Sequence, residues 1–303
     1  MGVFRSENGP LQGPRPLHCM EIFGGTSARE DAVATPGLDG WIYSRPFEGD
    51  DNGGDVHYVS LCGGGMITRL IVADVSGHGQ KVAEVAGALR AIMRKNINRK
   101  SQTRLVQAMN RQFAALAQLS LFATAVVATY LATKRTLSVC NAGHPRPLRY
   151  RAKDRTWEIL TAVPSDAPGA ANLPLGIDDD SPYDQFSVVL DTGDLVVIYT
   201  DALVEAHVAD GAMLGEEGLL QIARNLPVDD PAQIGPGLLA DVDRHRGGEP
   251  ADDDVTLLVL RHTNAGPRRL SVGEKIDVYA KVFGLKHNYA CECRFLVGWV
   301  QPP

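Results

Sequence analysis

The chain has 303 residues, enough for one large domain or two small ones, and 44% of them are hydrophobic, enough for a sizeable core. A net charge of −6 without any basic block argues against nucleic acid as a partner. Nothing approaches the run of roughly 18 apolar residues that spans a bilayer, and the polar N-terminus lacks a secretory apolar stretch, so no membrane insertion is expected.

Residues 1–36 mix Gly, Pro and charge without period and read as a poorly ordered leader. Met1-Gly2-Val3-Phe4-Arg5-Ser6 fits the loose myristoylation pattern, which is short and often matches by chance. Periodic sequence begins near Trp41. His57–Cys62 alternates like a strand, and Met66–Ala73 reads as a second, buried one, with Gly63-Gly64-Gly65 as the hairpin turn. That strand ends at Asp74, in Asp74-Val75-Ser76-Gly77-His78-Gly79. Two amphipathic helices come next, Lys81–Asn96 and Thr103–Leu119. Val82, Ala86, Leu89 and Met93 line one face of the first, and Val106, Met109, Phe113 and Leu116 one face of the second.

Strands are then predicted at Phe122–Leu131 and Thr136–Asn141, joined by the polar link Thr133-Lys134-Arg135, and at Pro147–Arg151 and Thr156–Leu160. A Pro- and Ala-rich loop covers Ala162–Asn172. Strands resume at Gln185–Leu190 and Asp194–Thr200. Helices near Glu217–Leu226 and Pro231–Arg244 precede a last strand, Val255–Arg261. Hairpins dominate and βαβ alternation is absent, which argues α+β with mostly antiparallel sheets. Helices that come in two pairs suit two sheets, one pair on each outer face. Beyond His262 the chain changes character; Leu270–Leu285 fits one helix, and Cys291–Val300 is short and apolar. The domain reading is a 1–36 leader, a 37–262 main domain and a 263–303 extension of unassigned role.

The cysteines are Cys19, Cys62, Cys140, Cys291 and Cys293, with no CxxC pair, which disfavours structural zinc. An odd number without a signal peptide points to reduced thiols in the cytoplasm.

Four aspartate sites flank strands or glycine turns. Asp55 closes Gly53-Gly54-Asp55, Asp74 ends a strand, Asp201 ends Leu195–Thr200, and Asp252-Asp253-Asp254 precedes Val255–Arg261. Singly, each is most simply a turn residue that caps local N–H groups. Likewise, the glycines are most simply tight turns, and His78 and His144 surface or turn histidines. Together, carboxylates at strand ends can converge on one edge of a sandwich. Hard oxygen donors of this kind suit Mg²⁺ or Mn²⁺, and a pair of such ions can activate water toward phosphorus.

The order of segments adds to this. Gly53-Gly54-Asp55, Val72–Gly79, Phe122-Ala123-Thr124, Asn141-Ala142-Gly143-His144-Pro145, Leu173-Pro174-Leu175-Gly176, Gly193–Asp201 and Asp253–Leu258 occur in sequence. So ordered, they resemble the bacterial PPM-type protein phosphatases of the stage II sporulation protein E branch, over about Trp41–Arg261. The resemblance implies a four-layer α-β-β-α sandwich with two mostly antiparallel sheets. It implies hydrolysis of phosphoserine or phosphothreonine on a partner protein, by direct attack of water without a phospho-enzyme. It assigns Asp55, Asp74, Asp201, Asp253 and the backbone carbonyl of Val75 as ligands of two divalent cations, Mn²⁺ or Mg²⁺, with Asp74 bridging. The implied partners are small anti-sigma-factor antagonists in a partner-switching pathway. Two departures stand out: Ala202 comes after the third aspartate where the family has glycine, and would be strained if that position needs positive φ; and Val56-His57-Tyr58 succeeds Asp55 where an aromatic and an acid are commoner. No general acid is evident.

Other readings compete less well. Cys62 and Arg69 are one residue too far apart for a cysteine-nucleophile phosphate cradle, and no Gly-rich nucleotide loop ending in Lys-Ser/Thr occurs. The remaining alternative is a catalytically silent module that binds a regulatory partner.

Overall fold

The computed structural model describes residues 13–266 except 20, 48–49, 63–64, 78, 98, 100, 117–120, 163–171 and 208–210, together with residue 273. The chain divides into a unit of residues 1–268 and a second of 269–303. The expected C-terminal helix lies outside the described residues, as do His78, the Met1–Ser6 pattern and most of the Ala162–Asn172 loop.

The elements run β1 (Arg15–Pro16), β2 (Ile22–Gly25), β3 (Arg29–Thr35), β4 (Leu38–Arg45), β5 (Val56–Cys62), β6 (Ile67–Val75), α1 (Gln80–Asn96) and α2 (Gln102–Leu116). They continue with β7 (Ala123–Leu131), β8 (Thr136–Ala142), β9 (Leu148–Arg151), β10 (Thr156–Ile159), β11 (Phe186–Val189), β12 (Leu195–Tyr199), α3 (Gly215–Asn225), α4 (Ile234–His245) and β13 (Val255–His262). One sheet has the order β1-β3-β4-β13-β12-β9-β10 and the other β11-β8-β7-β6-β5-β2. Every pairing is antiparallel except β1 with β3.

The period-2 alternation of the central strands explains the layering. In β6, Leu70 and Val72 face the other sheet, whereas Ile71, Ala73 and Val75 face α1 and α2. In β12, Val196 and Ile198 face inward, and Leu195, Val197 and Tyr199 face α3 and α4. Three apolar layers result, so both faces of each central strand are buried and these strands read as near-continuous hydrophobic runs. The architecture is the expected α-β-β-α sandwich, with one helix pair on each outer face.

The leader expectation is corrected by β1, β2 and β3, three paired strands that lie ahead of residue 36. Strand β3 pairs with β4 along its whole length, from Arg29↔Ser44 to Thr35↔Leu38. Arg29-Glu30-Asp31-Ala32-Val33-Ala34-Thr35 buries only the small Ala32 and Val33 in the apolar layers, so its apolar pattern is weak and its order comes largely from pairing with β4. Strand β4 likewise starts at Leu38, ahead of Trp41.

Candidate active site

Strand phase decides which side chains end the inner apolar layer. Asp55 is in phase with His57, Val59 and Leu61, and Asp74 with Leu70 and Val72. Thr200 is in phase with Val196 and Ile198, and Thr256 with Leu258 and Leu260. At one end of the sandwich the inner layer therefore changes from aliphatic to polar. The β5–β6 register, Val56↔Ala73 at its end, brings Asp55 and Asp74 opposite each other one step further on. The β12–β13 register, ending at Tyr199↔Leu257, brings Thr200 opposite Thr256 and places Asp201 beside the Asp253-Asp254 turn.

The two sheets are tied together here. The Thr200 hydroxyl donates to Asp55 Oδ2 at 2.9 Å and accepts the Thr256 N–H at 2.9 Å. Thr256 Oγ1 in turn shares a hydrogen with Ser44 Oγ at 3.0 Å. Asp254 is buried, and its carboxylate accepts N–H bonds from Phe47 (2.6 Å) and Gly54 (2.5 Å). A Cβ on Gly53 would stand 2.4 Å from Asp254 Oδ1, and one on Gly54 2.9 Å from the Val75 carbonyl oxygen. The glycine pair is thus needed for a close approach, not for a bend alone.

Four of the predicted site residues, Asp55, Asp74, Asp201 and Asp253, are brought into one electrostatic group. Burial, then the charges of Asp74 and Asp254, push Asp55 well above the usual carboxylate range, against hydrogen bonds from Thr256 and Thr200. Burial pushes Asp74 up to about 8, and the charges acting most strongly on it are all carboxylates: Asp201, Asp253, Asp254 and Glu205. Asp201 is raised by burial and by Glu205. Sequence reasoning missed Thr200, Thr256, Ser44 and Glu205, and named Asp254 within the Asp252-Asp253-Asp254 run without giving it a role. Thr200 directly precedes Asp201 and Asp254 directly succeeds Asp253, so adjacency was the available signal.

Ala202 is unstrained. It sits in a short 3-10 turn, Asp201–Leu203, and among the described residues the non-glycine positions with positive φ are Arg135, Arg155 and Asn172. Its carbonyl accepts from Arg246, and its methyl packs among Tyr199, Leu203 and the α3–α4 side chains. Cys62 and Arg69 lie on opposite strands of the β5–β6 hairpin, which excludes a phosphate cradle between them. Cys19, Cys62 and Cys140 are free thiols. His144 is buried; Nδ1 shares a hydrogen with Thr124 Oγ1 at 2.7 Å, and burial lowers its pKa to about 3.

The model of the stage II sporulation protein E (SpoIIE) family matches residues 65–263. The chain belongs to the SpoIIE family. It is 27% identical over 147 residues to the phosphoserine phosphatase RsbU of Bacillus subtilis and 30% identical over 105 residues to stage II sporulation protein E of the same organism. These matches cover 47% and 34% of this SpoIIE-family chain, but only 41% and 12% of the relatives, so the chain spans less than half the length of either. Its fold is similar to that of the RsbU and RsbW domains of a Mycobacterium tuberculosis protein, with a TM-score of 0.63, 23% identity, and coverage of 85% of this chain and 71% of that one. The PP2C domain of SiaA from Pseudomonas aeruginosa matches with a TM-score of 0.62 at 17% identity, covering 73% of this chain and 85% of that one. Among the described residues, no helix is long and apolar enough to cross a membrane.

The donor set fits a hard divalent cation. Asp55 Oδ1 is buried without a hydrogen-bond partner, and the charges that act on Asp55 are those of Asp74 and Asp254. Buried carboxylates in mutual repulsion want a compensating cation. Among the described residues, no three His, Cys, Asp or Glu side chains close on one point as a finished coordination shell. The acids form a field of negative potential around the sheet ends, with oxygen donors only, which suits Mg²⁺ or Mn²⁺ over zinc.

Proposed function

We propose that this chain hydrolyses phosphoserine or phosphothreonine on a partner protein, with two divalent cations, Mn²⁺ or Mg²⁺, held by Asp55, Asp74, Asp201, Asp253 and the Val75 carbonyl. The observation that carries the reading is the convergence of carboxylates from both sheets on one sheet end, where Asp55 keeps a buried, unpartnered oxygen. Bound cations of this kind supply activation of a water and polarisation of the phosphoryl oxygens. The chain's own part is orientation: Thr200 turns Asp55 so that Oδ2 is hydrogen-bonded and Oδ1 left over, and Asp254 fixes Gly54 beside the Val75 carbonyl.

The names of the relatives support the substrate class, since RsbU is called a phosphoserine phosphatase. RsbX, similar in fold at 15% identity with a TM-score of 0.55, is known in complex with magnesium. Resemblance to this family also favours an anti-sigma-factor antagonist as partner, in a partner-switching pathway. The silent module is disfavoured physically: a fold without cations would keep several buried, mutually repelling carboxylates that destabilise it and serve no purpose.

The test is phosphate release from a phosphoserine peptide and from p-nitrophenyl phosphate with Mn²⁺, with Mg²⁺ and with EDTA. Turnover that needs the metal supports the reading. Turnover that survives EDTA rejects the metal mechanism, and a folded protein inactive with both metals supports the silent module.

A further inference from the structure

The motif Leu173-Pro174-Leu175-Gly176 is not used by the carboxylate site. Leu175 and Ala123 exchange backbone hydrogen bonds of 2.9 and 2.7 Å in an antiparallel bridge, which adds an extra edge beside the start of β7. Both side chains are fully buried. Gly176 then turns at φ +91°, where a Cβ would stand 3.0 Å from the Phe113 ring, so glycine is required. The fully buried Asn110 of α2 holds this turn from below. Its Oδ1 accepts the Gly176 N–H at 2.8 Å, and its amide donates to the carbonyls of Asp178 (2.7 Å) and Asp179 (3.2 Å). A satisfied buried amide makes this surface turn rigid.

The turn presents an apolar and acidic face. Ile177 is 53% exposed, and Asp178, Asp179 and Asp180 extend from it into solvent. Across the bridge, Phe122 is 37% exposed. Phe122 is bonded to the loop that leaves Asp74: its carbonyl accepts the Ser76 N–H at 2.9 Å, and its own N–H donates to Ser76 Oγ at 3.2 Å. Arg111 pairs with Asp180 at 3.1 Å, but both side chains are largely exposed, so the pair does little to cancel the acidic field.

Two exposed apolar side chains on the two segments of one backbone bridge, Ile177 next to three carboxylates and Phe122 bonded to Ser76 beyond Asp74, have the make-up of a docking surface. We infer that Phe122, Ile177 and the Asp178–Asp180 rim dock the protein substrate, and select a segment in which an apolar residue is flanked by lysine or arginine near the phosphorylated serine. The inference rests on the phosphatase reading of the adjacent carboxylates. The sign of the preference comes from the rim: basic flanks are attracted, and acidic flanks are repelled.

The experiment uses two fluorescent phosphoserine peptides that differ only in flank: leucine between lysines, and leucine between glutamates. Binding is read by anisotropy and turnover by Mn²⁺-dependent phosphate release, with p-nitrophenyl phosphate as the substrate without flanks. The whole chain is compared with Ile177→Ser and with Asp179→Lys/Asp180→Lys. The wild type should favour the lysine peptide by about tenfold in both readouts. Ile177→Ser should weaken both peptides by about fivefold, and the double variant should remove the preference. Neither should change p-nitrophenyl phosphate hydrolysis, which also reports intact folding. Equal affinity of the wild type for both peptides, or a preference unchanged in the variants, overturns the docking surface. Selective binding with no turnover of any substrate upholds it and rejects the phosphatase reading. Turnover without flank preference does the reverse.

Discussion

Thr200 donates its hydroxyl hydrogen to Asp55 Oδ2 at 2.9 Å, and this bond joins the end of one sheet to the end of the other. The same hydroxyl oxygen accepts the Thr256 N–H, so its direction is fixed from β13. If Asp55 ligates a cation as proposed, removal of its orienting partner should cost about 10- to 100-fold in metal affinity or activity. Thr200→Val should therefore lower Mn²⁺-dependent kcat within that range, with the fold retained, and Thr200→Ser should recover most of it. Steady-state kinetics at several Mn²⁺ concentrations would decide; an unchanged kcat in the valine variant would reject the orienting role.

Asp254 has a different task. Its two accepted N–H bonds, from Phe47 and Gly54, clip the segment before Asp55 to the start of β13. Asp254→Ala removes the acceptor of both N–H bonds, which should cost on the order of 3 kcal/mol. Urea unfolding should show a lower midpoint at unchanged slope. Asp254→Asn keeps one acceptor oxygen and should fall between the alanine variant and the wild type.

The central strands, both helix pairs and the aspartates were legible because each leaves a local trace. Val72, Val126, Val196 and Leu258 lie in apolar runs, and Asp55, Asp74, Asp201 and Asp253 interrupt those runs beside glycines or at strand ends. Strand β3 was not legible, since Arg29-Glu30-Asp31 is held by pairing with Ser44, Tyr43 and Ile42, partners that no local pattern names. The roles of Thr200 and Asp254 were hidden for a related reason: they lie in bonds to Asp55 and Gly54, 145 and 200 residues away. The expected strain at Ala202 rested on a family habit, whereas in this chain the turn after Asp201 runs through negative φ.

Without the proposed cations, the repulsion within the carboxylate group should show in the stability. The folded-state pKa of Asp74 is about 8, against about 3.9 in an unfolded chain. The folded chain holds a proton that the unfolded chain lacks between those values. The stability from this group is thus fully present below about pH 4 and is lost as pH rises toward about 8. In EDTA at pH 8, Asp74→Asn should melt higher than the wild type, and the difference should shrink at pH 5. In Mn²⁺ the order should reverse, because the variant loses one of the proposed ligands, and phosphate release should collapse. Thermal melts in EDTA and in Mn²⁺ at the two pH values test this; a variant that melts lower than the wild type in EDTA at pH 8 would reject it.

His144 contributes to the acid side of the stability profile, as does the buried His57. Burial holds the folded pKa of His144 at about 3, well below the ordinary 6.5, so the ring is neutral in the fold. A depressed pKa contributes stability that is present above about pH 6.5 and lost as pH falls toward about 3, because the unfolded chain takes up the proton first. The loss from this group should be on the order of 2 kcal/mol at pH 5. His144→Asn does not titrate, so it should lose less stability between pH 7 and pH 5 than the wild type, even though it gives up the 2.7 Å contact with Thr124 and starts from a lower value at pH 7. Unfolding curves for both proteins at the two pH values measure the difference, and parallel losses would show that the imidazole is not the group that titrates.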